Sequence, residues 1–511
     1  MTDWTSGYVA DIGYTFGYYH ELNPLRLRLA FLNAGVTPPE TNVACELGFG
    51  QGMSINLHAA ASVTQWYGTD FNPSQAAFAQ ELALVSNAGA QIFDEGFAEF
   101  CNRKDLPEFD YIGLHGIWSW ISDENRSIIV DFFRRKLKVG GVLYLSYNTQ
   151  PGWASMVPMR HLLTEHAEVM AAPGRGIISR VDAAMEFAEK LLATNPLYLR
   201  ANPQVAQRIK SMKAQDRSYL AHEYFNRDWH PMPFAEMAEW LAPAKLNFAC
   251  SGHYLSHVNG VNLTGDQQAF LNDIPDPMFR ETVRDFMVNQ QFRRDYWVRG
   301  LRRLSNVERI EAIRRQKVIL ILARTALSLT AVGALGEAKM HDNIYSPILD
   351  VLTDHRVHTI GHIEQAVAKD CLKLAHILEA LMLLIDKGAV AAVQEDQVIE
   401  NAKLQTDRLN LHLMNKCKGS SDISYLASPV TGGGVGVARS EQLFLLAALN
   451  GRKQPSEWAQ FVWEIFAAQG QSIVVDGKAL PTAEANIAKL TKDATAFALQ
   501  QLPILKSLQI A

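Results

Sequence analysis

The chain has no pair of cysteines spaced for a disulfide framework or a metal site: Cys45, Cys101, Cys250, Cys371 and Cys417 stand singly. Without a CxxC pair a zinc ribbon is excluded, and a reducing interior fits best. No apolar run approaches the roughly 20 residues of a membrane-spanning helix. The longest runs lie near Val318–Ala323 and Leu381–Ile385. The opening Met1-Thr2-Asp3-Trp4 lacks the basic start and apolar segment of a secretory signal. Basic excess is also missing, since the formal charge is -5, and nucleic-acid binding normally needs a broad cationic surface. These absences predict a cytoplasmic protein with no membrane span and no nucleic acid among its partners.

What the chain does have is the profile of a globular protein, with 48% apolar and 20% charged residues. Its 511 residues exceed one ordinary core, so several domains are expected. From about 43 to 150 short apolar runs alternate with helical stretches, the pattern of βα units on a parallel sheet. The runs predict strands at Val43–Leu47, Trp66–Thr69, Gln91–Phe93, Tyr111–Leu114 and Val142–Ser146. Asn72 and Pro73 suit the cap and first position of a helix after the second strand, and Gly140-Gly141 makes the turn into the fifth. Helical periodicity follows at Val181–Leu192 and Phe234–Leu241, and a basic helix is expected from Phe292 to Lys317. Residues 343–395 read as three helices and a β-ribbon, a winged-helix-like layout. Beyond 420, Gly432, Gly433, Gly434 and Gly436 mark a loop before a short helical tail. The predicted fold class is therefore α/β, a Rossmann-like sheet followed by mostly helical accessory domains. The expected divisions are 1–155, 156–330, 331–420 and 421–511.

The loop after the first strand is Glu46-Leu47-Gly48-Phe49-Gly50-Gln51-Gly52. Glycines at this spacing let the backbone turn sharply and approach a ligand where a Cβ would collide. The dinucleotide fingerprint G-x-G-x-x-G is not met, because Met53 stands at its third glycine. Glu46 would also repel a pyrophosphate, whereas a sulfonium carrying a free amino group tolerates an acid there. The loop thus favours S-adenosylmethionine as cofactor. Asp70, ending the second strand, is placed to accept both ribose hydroxyls, with Phe71 beside the adenine. Asp94 and Glu95 end the third strand, and Asp94 is the better candidate to accept the adenine amino group.

The fourth strand runs into His115-Gly116-Ile117-Trp118-Ser119-Trp120, at the sheet edge that borders the reactive end of a bound ligand. Tyr147 and Asn148 end the fifth strand. His115, Trp118, Tyr147 and Asn148 are the candidate catalytic wall, apolar and cation-attracting; Trp120 and Trp153 divide between site and packing. Methyl transfer is an in-line displacement that needs a lone pair on the acceptor. A lysine, with a solution pKa of about 10.4, must first lose its proton. Burial among aromatics favours that loss, and His115 is a candidate to receive the proton.

Tyr8, Tyr14, Asn23-Pro24 and Leu27, the loop 46–52, His115–Trp120 and Tyr147–Trp153 together resemble the class I methyltransferases that carry a methyltransferase regulatory domain. Tyr219–Asn226, with Trp229, Pro231 and Phe234, resembles the regulatory domain itself. The likeness covers residues from about 5 to 300. Rickettsial protein-lysine methyltransferases of outer-membrane surface proteins are members. The resemblance implies lysine methylation of a protein, a homodimer, and an N-terminal segment around Tyr14 near the cofactor.

His222-Glu223 begins like a zinc-protease motif, but Asn226 stands where the second histidine must be, so no metal is expected. Two other readings remain open at this stage. One is methylation of a small molecule such as a surface-glycan precursor, and the other is a non-catalytic sensor of the cofactor. The accessory domains are expected to build the substrate groove and dimer contact, leaving the cofactor site self-contained within about the first 330 residues.

Overall fold

The computed structural model describes residues 8, 13, 15–170, 174 and 176–511. At its centre lies a seven-stranded sheet. Its strands are β1 (Val43–Leu47), β2 (Gln65–Thr69), β3 (Gln91–Phe93), β4 (Phe109–Leu114), β5 (Leu137–Asn148), β6 (Leu246–Ser251) and β7 (Phe292–Arg299). Their order is β3-β2-β1-β4-β5-β7-β6. The first five strands run parallel, and β7 inserts antiparallel between β5 and β6. The strand order reverses between β1 and β4, which opens a crevice beyond the carboxyl ends of those strands.

The five strands read from sequence are all present, with β4 and β5 longer than expected. The last two strands were not expected. They correct the view that residues 1–155 complete the sheet, and they divide the predicted helix Phe292–Lys317 into β7, a helix Asn306–Arg315 and a strand Lys317–Leu320. The arginines of that stretch do not share one face: Arg302, Arg303 and Arg315 are exposed, whereas Arg293 is enclosed. Arg293 is buried, bonded to Glu281 at 2.9 Å, Asp285 at 2.6 Å and Asp295 at 2.7 Å. A guanidinium is tolerated at such depth only when carboxylates pair with it this closely.

Capping follows the sequence closely. Helix α1 (Pro24–Asn33) starts with the Asn23 side chain accepting from the Leu25 N–H at 2.9 Å. Helix α2 (Met53–Ala61) leaves the glycine loop at Gly52. Helix α3 (Pro73–Ser86) is capped by Asn72, which accepts from the Ser74 N–H at 3.0 Å, with Pro73 at its first position. A helical insertion between β5 and β6 includes Val157–Val169, Ile177–Ala193, Gln204–Lys213 and Arg217–Tyr224. It buries its own cluster around Met159, Leu163, Val181, Met185, Ile209 and Leu220.

The winged-helix-like unit keeps its three helices, Asp342–Leu352, Ile360–Ala366 and Leu374–Asp386. Its sheet differs from expectation: Val390–Ala392 and His358–Thr359 pair with Lys317–Leu320, a strand from upstream. The glycine run near 432 is a strand, Gly433–Gly436, in a hairpin with Tyr425–Ser428. The tail is not short, since it holds Asp396–Lys416, Arg439–Leu449, Pro455–Ala468 and the long helix Ala483–Ser507. No helix among the described residues is long and apolar enough to cross a membrane.

This C-terminal part packs on α2 and α3. All nine residues of α2 are buried, and its polar side chains find partners inside: the Asn56 amide donates to the Gly52 and Ala79 carbonyls at 2.9 and 3.0 Å, and Ser54 Oγ accepts from the Tyr19 N–H at 2.9 Å. Met53 and Leu57 share one core with Leu409, Leu413, Leu426, Val435, Phe444 and Phe497. The Gln394 amide donates to the Ala61 carbonyl at 2.7 Å, and the Asn23 amide to the Thr431 carbonyl at 3.1 Å. The cofactor loop is therefore held by a helix that the last third of the chain covers, not by a self-contained first half. Leu57→Ala should lower stability by about 2–5 kcal/mol, measured by chemical denaturation. A chain ended near residue 330 should lose its melting transition, because it would strip the outer cover from α2. A truncated protein that melts like the full chain would contradict this packing argument.

Candidate active site

The glycine loop turns as its spacing demands. Gly48, Gly50 and Gly52 have φ of 71°, 58° and 70°, in the left-handed region that favours glycine. At Gly52 a Cβ would also lie 2.4 Å from that of Ala79, and at Gly48 2.7 Å from Ile117 Cδ1. The loop borders a cavity of about 220 Å³ in the crevice beyond β1, β2 and β4. Of the residues singled out in the sequence for the cofactor, Glu46, Gly48, Gly50, Asp70, Phe71, Glu95 and His115 line it, and Gly52 does not.

Two acids lie on its floor. Asp70 accepts from the Gly50 N–H at 2.8 Å through Oδ2 and from the Asn72 N–H at 3.0 Å through Oδ1. Each oxygen keeps a lone pair for a further donor. Burial pushes its carboxyl up to about 6 against the pull of those two N–H groups. Glu46 is 3% exposed, and its Oε2 has no hydrogen-bond partner. Burial, helped by the charge of Asp70, pushes it up to about 8. An orphaned carboxylate oxygen in a cavity is costly and suits a cationic ligand group.

His115 is half-buried, with Nδ1 2.8 Å from the Tyr144 hydroxyl, and Tyr19 stacks on it at 3.9 Å between ring centres. Burial lowers its pKa to about 4. The imidazole is thus neutral near pH 7 and a weaker proton acceptor than the sequence suggested. Phe71 meets Tyr8 edge-on at 5.7 Å, and Tyr8 also lies 5.5 Å from the His222 ring of the helical insertion.

Other predicted residues are placed elsewhere. Trp118 is fully buried, its N–H 3.3 Å from Met232 Sδ and its ring 6.0 Å from Trp240. Tyr147 points to the same side, donating to Asp295 at 3.1 Å. Asn148 is buried, and its N–H donates to Ser119 Oγ at 2.8 Å. None of these three lines the cavity: the short 3-10 turn Trp118–Trp120 sends Trp118 into the core and leaves Trp120 at the cavity, while Tyr147 and Asn148 are held at the end of β5 by Asp295 and Ser119. At the end of β3, Glu95 lines the cavity and binds Arg103 at 2.5 Å, while Asp94 is exposed. Tyr14 lies outside the described residues.

The cavity also takes in Tyr8, Tyr19, Ile117, Trp120, Asn125 and Asp228. Trp120 was legible as an aromatic at the sheet edge. Asp228 was not, because it arrives from the insertion through the loop before Trp229, and no spacing links it to β4.

Comparison with known proteins agrees with this geometry. The family model described as "Predicted methyltransferase regulatory domain" matches residues 216–299, which here run from the helix Arg217–Tyr224 through β6 and β7. The protein sll1526 of Synechocystis sp. is 38% identical, covering 99% of this chain and 100% of its own length. RP789 of Rickettsia prowazekii is 24% identical across 55% of this chain and 51% of that protein. Among solved structures, PKMT2 from Rickettsia typhi in complex with AdoHcy is similar with a TM-score of 0.71 at 17% identity. That match covers 98% of this chain and 100% of PKMT2, and it shows a common fold.

Two outcomes test the site. Because the folded state raises the Glu46 pKa above its ordinary value, it holds the proton more tightly than the unfolded chain does. Stability without ligand therefore falls as pH rises from the ordinary carboxyl range toward 8. Glu46→Gln should be more stable than the parent at pH 8, with the gap closing toward pH 5, in denaturation series at the two pH values. Separately, Trp118→Ala should cost about 3–5 kcal/mol of stability. Trp120→Ala, at the cavity wall, should cost clearly less in the same measurement.

Proposed function

From a chain that belongs to the family of class I methyltransferases carrying a methyltransferase regulatory domain, we propose transfer of a methyl group from S-adenosylmethionine to a lysine amine of a protein. The observation that carries the reading is the pair of buried acids on the cavity floor. Asp70, held by Gly50 and Asn72, presents two carboxylate oxygens to ribose hydroxyls. Glu46, with its orphaned oxygen, is the partner for an ammonium group. Phe71 and the backbone near Gly96 and Phe97 border the space for adenine. Bound there, the cofactor supplies an electrophilic methyl group.

The chain's own residues then deal with the acceptor. Tyr19, Trp120 and Tyr8 supply aromatic walls, and Asp228 supplies a carboxylate at the cavity. Such walls attract a cation and, once it is desolvated, favour its neutral form. The neutral His115 ring, fixed by Tyr144 and Tyr19, orients the acceptor, and the released proton leaves toward solvent. A cytoplasmic homodimer acting on a protein partner, such as a surface or outer-membrane protein, belongs to the same proposal. The size of protein interfaces supports it, since roughly 1,200 Å² of total buried surface is the usual minimum and the helical insertion adds surface beside the cavity.

Calorimetry should find binding of S-adenosylhomocysteine but not of nicotinamide dinucleotides. Asp70→Ala should weaken it by about 1.5–3 kcal/mol, the range for hydrogen bonds to a charged group. With methyl-labelled cofactor and lysate, label should enter protein, and mass spectrometry should find it on lysine nitrogen. Label in small molecules alone, or on oxygen or carbon, rejects the lysine reading.

A further inference from the structure

A second cavity, of about 180 Å³, lies where the N-terminal segment, the winged-helix-like unit and the C-terminal hairpin meet. Its walls include Tyr18, His20, Asn23, Arg26, Tyr425 and Thr431, and among the described residues no carboxylate lines it. The guanidinium of Arg26 lies 4.4 Å over the Tyr254 ring and donates through Nη1 to the Ile385 carbonyl at 3.4 Å, but its Nε, although buried, has no hydrogen-bond partner. Among the described residues Arg26 makes no ion pair. The Thr431 hydroxyl, on a residue 7% exposed, is likewise unpartnered. Buried donors are ordinarily satisfied in a native protein, and Arg26 and Thr431 both border the same space. Of the acids nearby in the fold, Glu21 pairs with Arg294 at 3.2 Å and His20 at 3.3 Å, and Asp386 pairs with His253 at 3.3 Å.

We propose that this cavity is a second ligand site, for a small organic oxyanion (a phosphate or carboxylate on a compact body). The guanidinium supplies the charge and directional N–H groups for an oxyanion. Thr431 adds a hydroxyl donor and His20 an imidazole edge. Tyr18, Tyr254 and Tyr425 supply flat walls for the ligand's body, the usual mixture of a small-molecule pocket.

The site also shares a wall with the cofactor cavity. Where the chain enters the 3-10 turn His20–Leu22 before α1, Tyr18 and His20 face the second cavity, while Tyr19 between them lines the first and stacks on His115. A ligand held by Tyr18 and His20 thereby fixes the backbone that carries Tyr19. The site is an effector site for whatever chemistry the first cavity performs, and its existence does not depend on the methyl-transfer reading.

The test is calorimetry on the full chain with phenyl phosphate, benzoate and, as a neutral control, phenol, each with and without saturating S-adenosylhomocysteine. One of the two anions should bind, should stay bound when S-adenosylhomocysteine is present, and should bind at least about tenfold tighter than phenol. The tighter anion identifies the oxyanion class. Arg26→Gln should weaken it by about tenfold or more, and Thr431→Val by a smaller factor. If Arg26→Gln does not fold, the isosteric Thr431→Val carries the comparison. Equal affinity for phenol, no loss in a folded variant, displacement by S-adenosylhomocysteine, or no anion binding at all would each overturn the proposal. Failure of the methyltransferase reading would show separately, as absence of S-adenosylhomocysteine binding to the parent protein.

Discussion

Burial of α2 on every side is the constraint on which the rest of the molecule depends. The helix carries the glycine loop at its start and buries even its polar residues Ser54, Asn56 and His58. One side meets the sheet through Ile55 and the other meets the C-terminal core through Met53 and Leu57. The loop's three left-handed glycines hold their course only while the helix behind them is fixed. The C-terminal helices and the hairpin at Gly433–Gly436 are therefore structural parts of the cofactor end of the sheet. The hairpin's glycines matter for the same reason: a Cβ at Gly434 would come within 3.0 Å of Leu57 and Tyr18.

The parallel strands were legible because β-branched and apolar residues fall in short runs between turn-formers, and the loop 46–52 because glycine spacing has few physical meanings. β7 was not, because Phe-Arg-Arg-Asp-Tyr-Trp-Val-Arg reads as a charged surface. Its charges face inward, where Arg293 is matched by acids from a helix and from its own strand. That pairing is a tertiary fact with no local signature. The same limit separates Trp118 from Trp120 and Asp94 from Glu95. The sequence placed both members of each pair at the sheet edge, but which one turns toward the ligand is decided by a single turn of backbone.

The segment matched by the regulatory-domain model is not an appendage to the sheet. It supplies β6 and β7, and just before them the loop that brings Asp228 to the cavity. The helix at its start touches Tyr8, which in turn touches Phe71 beside the glycine loop. The helical insertion and the cofactor end are thereby joined through rings in contact as well as through the sheet.

The position of β7 bears on how the chain assembles during synthesis. β5 finds its antiparallel neighbour only after the whole helical insertion has been made, so until then its edge is unpaired. Unpaired strand edges are templates for wrong partners, and pairings distant in sequence form slowly. The insertion has a hydrophobic cluster of its own, so it can become compact while the ribosome is still producing β6 and β7. A nascent chain of this kind passes through a stage in which the insertion is ordered and the sheet is open. Exposure to aggregation is greatest at that stage, and the need for a chaperone should peak there.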